Sequence, residues 1–342
     1  MSDLLDVVAV DPGDDASFVE FYEIYAAALR HGPAGEFSTV WQLEEIRAAM
    51  SDPDERTFRN GWVGRLGDRA VAIGWVSGST VDNTDLLEVL VCSAPDARGQ
   101  GYAAQVLAHV EAEARARGRL RLVGEVTWPY DLGATGAGSP DLAWATRQGF
   151  ELALVDVQRR LPLPVAVERL DALAAEAAAY GEGYRLRSFA GPVPDDLVDA
   201  WAALTATLGT EAPMGEIQRE VEAIDAAAIR AEEGLLERQG RIRLGTAALT
   251  ADGEVVAYTD VVVTTHESER AYQWGTLVRP DHRGHRLGLA VKVANLRQLQ
   301  ETQPQITTLV TYNADVNAPM VAVNDQLGFR PVQWMGELQK RL

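Results

Sequence analysis

The sequence predicts a mixed α/β (α+β) protein that contains one domain twice. The same order of strands and helices occurs in each half, and a glycine-containing turn precedes a helix at equivalent places. Equivalent residues lie about 180 positions apart, which is far longer than a solenoid repeat, so a duplicated domain is expected. A chain of 342 residues is long enough for two hydrophobic cores.

Each half begins with a strand and two helical segments. The first half has the strand LLDVVAV and the helices ASFVEFYEIYAAALR and WQLEEIRAAM; the second has YRLRSF, DDLVDAWAALTATLG and IQREVEAIDAAAIRAEEGLLERQ. A hairpin follows in both. Gly67-Asp68 marks its turn in the first half, and Asp252-Gly253 predicts a two-residue turn in the second.

The remaining elements also occur in the same order. A strand (LLEVLVCS or AYQWGTLV) leads into the glycine turn and its helix, and another strand follows (LRLVGEVTW or ITTLVTYN). A short helix that ends in Gly-Phe and a last apolar strand complete each half. Prolines at 162 and 164 and glycines at 181 and 183 bracket an alanine-rich helix, so we expect domains at 1–165 and 184–342 with a linker helix at 166–183.

The composition restricts which classes of partner and which cellular compartment are expected. The net charge of −19 disfavours nucleic acid and anionic membranes as partners. The charge indicates either solubility alone or a cationic ligand such as an amine. No apolar run reaches the roughly 20 residues that span a bilayer. The N-terminus has no basic start, and Cys92 is the single cysteine, so a cytoplasmic protein without disulfides is expected. One cysteine and five histidines do not predict a metal site.

The two glycine turns predict a binding site for phosphate or diphosphate. Glycines allow close approach to the backbone, and the start of the following helix presents unpaired N–H groups and a positive dipole end. Residues 99–104 also fit the dinucleotide fingerprint G-x-G-x-x-A, but four residues separate them from the strand, and Arg286 breaks the spacing in the second copy. A turn that only joins strand to helix is the third interpretation, which its recurrence disfavours.

The turn and its context resemble the GNAT acyltransferase superfamily, in the two-domain arrangement of actinobacterial members. RGQGYA (98–103) matches the family motif R-x-x-G-x-[GA] fully, whereas RGHRLG (283–288) has Arg286 in place of the middle glycine. The order of elements covers nearly the whole chain, once per half. The resemblance implies two tandem GNAT domains, each a twisted, mostly antiparallel central sheet flanked by helices.

The resemblance implies acetyl-CoA as the acyl donor, with no metal. Its pyrophosphate would lie on the amides of the two turns, and its pantetheine arm would lie between the strands on either side of each turn. A backbone N–H near Val91 or Val278 would polarise the acetyl carbonyl. The turn residues expected to bind the donor are Arg98, Gly99, Gln100, Gly101, Tyr102 and Ala103 in the first half, and Arg283, Gly284, His285, Arg286, Leu287 and Gly288 in the second.

The family's general acid is missing at its usual place. Many members have a tyrosine four residues before the glycine of Gly-Phe, where this chain has Ala145 and Asn324. Asn324 can hydrogen-bond a sulfur but is a poor acid. Asn317 is either the cap of the short helix or a ligand of the donor. Asn313 and Thr311 share one strand face beside the expected groove.

Two carboxylates are candidates for the general base that takes the acceptor's proton. Glu88 lies in the strand before the first turn; Asp260 is the nearest strand carboxylate in the second half, where Gln273 replaces Glu88. Each is alternatively a solvated strand residue. His282 and His285 are interpreted as anion contacts or surface residues. The second half, with its richer polar groups, is favoured as the catalytic one.

The predicted function is acetyl transfer from acetyl-CoA to a primary amine of a small, cationic acceptor by direct attack, with no acyl-enzyme. The alternative is a non-catalytic acyl-CoA-binding protein with two degenerate GNAT domains, which the missing tyrosines suggest. Acetylation of protein N-termini or lysines is the third hypothesis. Neither the acceptor's identity nor the oligomeric state follows from the sequence.

Overall fold

The structure is a computed structural model that describes residues 4–32, 35–213 and 215–342. It contains two compact units. Unit 1 comprises Met1–Asp156, Gly215–Gln218 and Gln333–Leu342, and unit 2 comprises Val157–Met214 and Arg219–Val332. The units therefore do not coincide with the two halves of the sequence, because two segments of the second half belong to unit 1. The domain boundaries that we expect at residues 165 and 184 stay a prediction.

Unit 1 contains a largely antiparallel sheet with helices on both faces. Its strands are β1 (Asp6–Ala9), β2 (Thr57–Leu66), β3 (Arg69–Ser79), β4 (Leu86–Ser93) and β5 (Arg121–Pro129). Its helices are α1 (Asp15–Arg30), α2 (Leu43–Met50), α3 (Tyr102–Ala116) and α4 (Pro140–Arg147). The chain passes from unit 1 to unit 2 within β6 (Glu151–Pro162).

Unit 2 repeats this arrangement. Its helices are α5 (Val167–Ala178), α6 (Val198–Thr205), α7 (Leu208–Glu211), α8 (Ala226–Arg238), α9 (Leu287–Thr302) and α10 (Ala318–Leu327). Its strands are β7 (Arg185–Ala190), β8 (Arg241–Leu249), β9 (Val255–Thr264), β10 (Glu267–Val278) and β11 (Thr308–Ala314). They lie in the order β11-β10-β9-β8-β7, with only the β10–β11 pair parallel.

The last strand of the chain completes the sheet of unit 1. β12 (Arg330–Arg341) pairs antiparallel with β5 from Gln333–Pro129 to Arg341–Arg121. A second segment also joins unit 1, since Ile217 packs against Leu86 and Val123. The predicted helix at 217–239 is therefore wrong in its first part: α8 begins at Ala226, because residues 215–218 pack on unit 1 instead.

Each sheet is covered on both faces by helices from its own unit. In unit 1 a Cβ at Gly61 would meet Phe21 of α1, whereas a Cβ at Gly64, on the opposite face, would meet Val106 of α3. In unit 2 the core around Trp201 of α6 lies on one face and the core around α9 on the other. This layering is the mixed α/β architecture that the sequence predicts.

Most local predictions agree with the structure, and one hairpin turn does not. β2 and β3 meet at Gly67-Asp68 as expected. The second hairpin has a five-residue loop from Thr250 to Glu254 rather than a two-residue turn, since the β8–β9 register shifts by one residue near Leu249. Among the described residues, no helix is long and apolar enough to cross a membrane.

Candidate active site

In both units, the two strands beside the glycine turn separate. β4 pairs parallel with β5 from Leu86–Arg121 to Glu88–Val123, and then each strand continues beside another partner. β10 and β11 pair over three residues, ending at Tyr272–Val310, and diverge in the same way. Each pair therefore leaves an opening at the end where the glycine turn lies, as the resemblance implies.

The two turns have the same backbone conformation although their sequences differ. In unit 1, Gly99 and Gly101 have φ of 76° and 84°; in unit 2, Gly284 and Arg286 have φ of 87° and 56°. Arg286 thus takes the left-handed conformation that its glycine counterpart takes, which costs a non-glycine residue roughly 1–2 kcal/mol. The backbone path of the turn survives the loss of the glycine.

Both turns leave the start of the following helix open. Neither Gly101 nor Arg286 caps its helix with a side chain, so the first N–H groups of α3 and α9 are free of such a bond. A Cβ built at Gly99 or Gly284 would meet nothing within 4 Å, so open space lies against the backbone there. Such a turn fits a pyrophosphate, which helix N-termini bind through N–H groups and the helix dipole.

The motif arginines direct their side chains into their own unit. Arg98 donates to the carbonyl oxygens of Ala28 at 2.8 Å and His31 at 3.2 Å, at the end of α1. Arg283 pairs with Glu211 at 2.9 Å and donates to Val278 O at 3.3 Å. Both guanidinium groups therefore fix the turn in place, and the groups left for a ligand are backbone amides.

The turn of unit 2 is also bonded to α5 and to the chain that follows it. His282 bonds the Tyr184 hydroxyl at 2.7 Å, His285 bonds the Tyr180 carbonyl oxygen at 3.1 Å, and Arg286 pairs with Glu176 at 2.8 Å. These contacts give both histidines a structural partner. A role in anion binding stays a prediction for them.

A β-bulge marks unit 2 at the level of the opening. In the ladder of β10 and β9, Gln273 pairs with Val261 and the next pair is Thr276 with Thr259. Between these two pairs, β10 therefore has one more residue than β9. In unit 1 the equivalent strand pairs Ala72–Ser77 with Ser93–Glu88, residue for residue. A bulge breaks the ladder locally and redirects the backbone, which is how a strand can present an N–H to a ligand.

Asp260 supports this bulge from the neighbouring strand. Its Oδ1 accepts the Gly275 N–H at 2.8 Å, and its Oδ2 lies 3.5 Å from Arg243 Nε. Burial raises the pKa of Asp260 to about 6, against the opposing charge of Arg243. Gln273, which replaces Glu88 in this unit, donates to Thr259 and to Asp260 O at 2.9 and 2.6 Å. The buried carboxylate thus fixes the bulge rather than lying free in a cleft.

Glu88 is exposed and lies in line with two residues of the neighbouring strands. Cross-strand pairing connects it to Ser77 and, through Ser77, to Arg59. Arg59 lines a cavity of about 350 Å³ between the end of α2 and β2, together with Asp52, Asp54 and Glu55. Asp52 lies 3.5 Å from Arg59, which offsets part of the negative charge. The lining of this cavity has more carboxylates than cations.

The short helix α10 and its cap contain two of the predicted asparagines, and each of them makes a side-chain hydrogen bond. Asn317 caps α10 by accepting the Met320 N–H at 3.3 Å. Asn324, fully buried, donates to Asn313 Oδ1 at 2.6 Å, and its own Oδ1 has no partner within the described residues. Ala145, its counterpart in α4, is an apolar core residue. The structure brings Asn324 and Asn313 together and uses Asn317 as a cap.

Comparison with known proteins agrees with this geometry. Residues 18–134 match the model of the acetyltransferase (GNAT) family. A tandem GNAT protein from the clavulanic acid biosynthesis pathway is similar over 98% of both chains, with 25% identity and a TM-score of 0.80. Residues 18–134 therefore match a GNAT domain, and the whole chain has the fold of a tandem GNAT protein.

Two other solved structures share the fold of this chain. A GCN5-related N-acetyltransferase from Sphaerobacter thermophilus has a TM-score of 0.62 at 15% identity, over 100% of this chain and 96% of that one. The glucosamine N-acetyltransferase region of a fungal multi-domain β-N-acetylglucosaminidase has a TM-score of 0.64 at 13% identity, over 99% of this chain and 38% of that one. No curated protein matches the sequence.

The sequence reasoning missed two features of these units. One is the cavity beside α2, which depends on how a loop and a strand meet. The other is Lys292, a fully enclosed cation in α9. A signal for the second existed, since Lys292 and Lys340 are the only lysines in the sequence and Lys292 lies in an otherwise apolar stretch of the helix.

Proposed function

We propose that the chain is an N-acetyltransferase that transfers an acetyl group from acetyl-CoA to the primary amine of a small, cationic acceptor. Unit 2 is the catalytic unit in this proposal. The observation that carries it is the β-bulge of β10, which Asp260 supports and which lies where β10 and β11 separate. The net charge of −19 supports a cationic acceptor.

The residues that would hold the donor are those of the turn and the opening. In unit 2 the amides of residues 283–288 would bind the pyrophosphate, and β10 and β11 would flank the pantetheine arm. When bound, acetyl-CoA supplies an activated acyl group on a thiol leaving group. A backbone N–H of β10 between the bulge and Val278 would stabilise the charge on the acyl oxygen.

The acceptor must lose a proton before or during attack, because a protonated amine has no free electron pair. In unit 2 the proposed carboxylate is Asp260, with a pKa raised to about 6 by burial, which keeps it mostly ionised at neutral pH. Since both of its oxygens already have partners, positioning of the bulge is its first role. In unit 1 the equivalent proposal is Glu88, beside the acidic cavity.

A second function is favoured for unit 1 by one observation, the unshifted register of β4 beside β3. Unit 1 keeps the complete glycine turn and the opening but has neither a bulge between β3 and β4 nor a proton donor at Ala145. It would then bind acyl-CoA without turning it over. If unit 2 were also inactive, the whole chain would be a non-catalytic acyl-CoA-binding protein.

Charge reversal at equivalent helix positions separates the two sites. Ala103 and Gly288 occupy the same place in the first turns of α3 and α9, and neither has a positive φ. We expect calorimetric titration of acetyl-CoA to lose one site in Ala103→Glu and the other in Gly288→Glu. The neutral controls Ala103→Gln and Gly288→Gln should keep both sites.

A screen of primary amines with thiol release as the readout tests the enzymatic function itself. We expect release with a cationic amine, and loss of that activity in Gly288→Glu but not in Ala103→Glu. The reverse pattern would make unit 1 the catalytic unit. Intact binding of acetyl-CoA without thiol release for any class of amine would favour the binding protein.

A further inference from the structure

Lys292 is a buried cation that the roles above do not use. It lies in α9 with 2% of its surface exposed, and its Nζ lies 5.4 Å from the centroid of the Phe329 ring, the phenylalanine of the second Gly-Phe pair. Within the described residues, no hydrogen bond or ion pair involves Nζ. A lysine this deeply buried is rare without a partner.

The equivalent place in unit 1 shows that a cation is not needed there for the fold. Leu107 occupies the position of Lys292 and packs in the core. The other lysine of the chain, Lys340, lies 5.8 Å from the Phe150 ring centroid, but it pairs with Glu111 and donates to Gln148 O. Unit 1 therefore has a neutralised lysine at its Gly-Phe pair, and unit 2 has one without a counter-charge.

Four carboxylates of the elements around Lys292 are directed to arginines. In α5, Asp171 pairs with Arg297 and Glu176 with Arg286; in α10, Asp325 faces Arg159; in β10, Glu267 pairs with Arg270. In β11, Tyr312 bonds Gln158. Burial alone lowers the pKa of Lys292, to about 7. The lysine is thus close to half protonated at neutral pH.

Lys292 lies on the same face of α9 as Gly288, the last residue of the motif 283–288. It is one helical turn beyond Gly288, whose Cβ position is 3.7 Å from Val278 at the end of β10. Phe329 lies two residues after the end of α10, so the ammonium group of Lys292 lies between α9 and the end of α10. Asn324, in α10, has no ionisable proton, and its unpartnered Oδ1 leaves an acceptor in the same buried region.

We propose that Lys292 is the proton donor for the thiolate that leaves acetyl-CoA in unit 2, an inference that rests on the proposed function. As the acyl C–S bond breaks, its electron pair stays on sulfur and the ammonium of Lys292 transfers one proton to it. The acceptor nitrogen forms the new C–N bond and releases one proton, which the proposed base Asp260 takes and passes to solvent. Neutral Lys292 then regains a proton from solvent, so the products are the amide and CoA thiol.

Lysine-selective ¹³C labelling observes this group without any turnover. The chain has two lysines, and Lys292→Met identifies their signals. We expect the Lys292 signal to titrate near pH 7, to shift when CoA is added, and to shift much less with desulfo-CoA, which lacks the sulfur. Equal shifts with both compounds would place the sulfur away from Lys292 and overturn the inference.

Kinetics with hydroxylamine, a small acceptor that is neutral at pH 7, test the proton transfer. We expect kcat to fall at least about 100-fold in Lys292→Met, while the affinity for acetyl-CoA changes less than about threefold. Lys292→Arg keeps the charge but holds its proton, so it should be as slow. In the wild type, kcat should fall above pH 7, and this limb should be absent in Lys292→Met. Lys340→Met is the control, with kcat expected to change less than about threefold.

Failure of the inference and failure of the proposed function give different results. A wild type that turns over normally, with Lys292→Met equally fast and unchanged in its pH profile, overturns only the role of Lys292. A wild type that binds acetyl-CoA but releases no thiol to hydroxylamine or any amine overturns the function and the inference together.

Discussion

The turn before α3 and the turn before α9 follow the same backbone path with different side chains. Gly101 and Arg286 both take a left-handed conformation, although only glycine does so without strain. The glycine of the first turn has no side chain, whereas the Arg286 side chain pairs with Glu176 and lies over the Tyr180 ring. Anion-binding geometry here is a property of the backbone, so one copy could acquire a new contact.

The openings beside the turns differ more than the turns do. Unit 2 has a bulge between β9 and β10 and the buried Lys292, where unit 1 has a regular ladder between β3 and β4 and Leu107. Each change introduces a polar group into a place that the other copy fills with backbone pairing or apolar packing. Such groups reduce stability unless they have partners, so they indicate where one unit became specialised.

Removal of the Asp260 carboxylate should have the largest effect. Asp260→Ala leaves Arg243 and the Gly275 N–H without this buried partner, so we expect a loss of about 2–4 kcal/mol in the free energy of unfolding and at least a 100-fold lower kcat. Urea denaturation and thiol release measure the two effects. Asp260→Asn, which retains an oxygen for Gly275, should lose clearly less stability. Equal losses in both variants would show that the hydrogen bond to the bulge has little weight.

Lys292 should make stability increase with pH. Its pKa in the folded state, about 7, is lower than the value of 10.5 for a free lysine, so the unfolded chain binds more protons between these values. Stability should rise from about pH 7 to about pH 10 in the wild type and stay flat in Lys292→Met. The variant should be more stable by roughly 2–4 kcal/mol at pH 6, with the gain vanishing near pH 10. Urea denaturation at several pH values measures it; a gain that is independent of pH would contradict it.

Asp156 should give unit 1 the opposite dependence on pH. Burial, and then the charge of Glu337, raise its pKa to about 7 from 3.8, so its contribution to stability is complete below pH 3.8 and is lost as the pH rises through 7. Its Oδ1 has no hydrogen-bond partner among the residues described. Asp156→Asn should therefore add about 1–2 kcal/mol at pH 8 and little at pH 4. A larger gain at pH 4 than at pH 8 would reverse the assignment.

The smallest effect concerns the strained residue of the second turn. Arg286→Ala removes the side-chain contacts and keeps the positive φ, whereas Arg286→Gly removes the contacts and also the strain. We expect the glycine variant to be more stable than the alanine variant by about 1 kcal/mol. Thermal unfolding of both variants measures this difference. An alanine variant as stable as the glycine variant would mean that the turn changes conformation when Arg286 is lost.

Much of the fold could be predicted because its signals are local. The glycine turns, the Asn317 and Ser139 caps and the Gly67 hairpin depend on residues within a few positions of one another. The bulge could not be predicted, because it depends on the register between β9 and β10. The residues that surround Lys292 come from separate elements. Its lack of a counter-charge could therefore be recognised only in the folded structure.

The pairing of β12 with β5 has a consequence for how the protein is made. A ribosome synthesises most of unit 1 first, but the strand that completes its sheet is encoded at residues 333–341. During translation, the edge of β5 lacks its partner β12 until nearly the whole chain has been synthesised. An isolated fragment of residues 1–165 would keep that edge unpaired, and exposed edges promote aggregation. Expression of the first unit alone therefore calls for the late strand to be fused behind it.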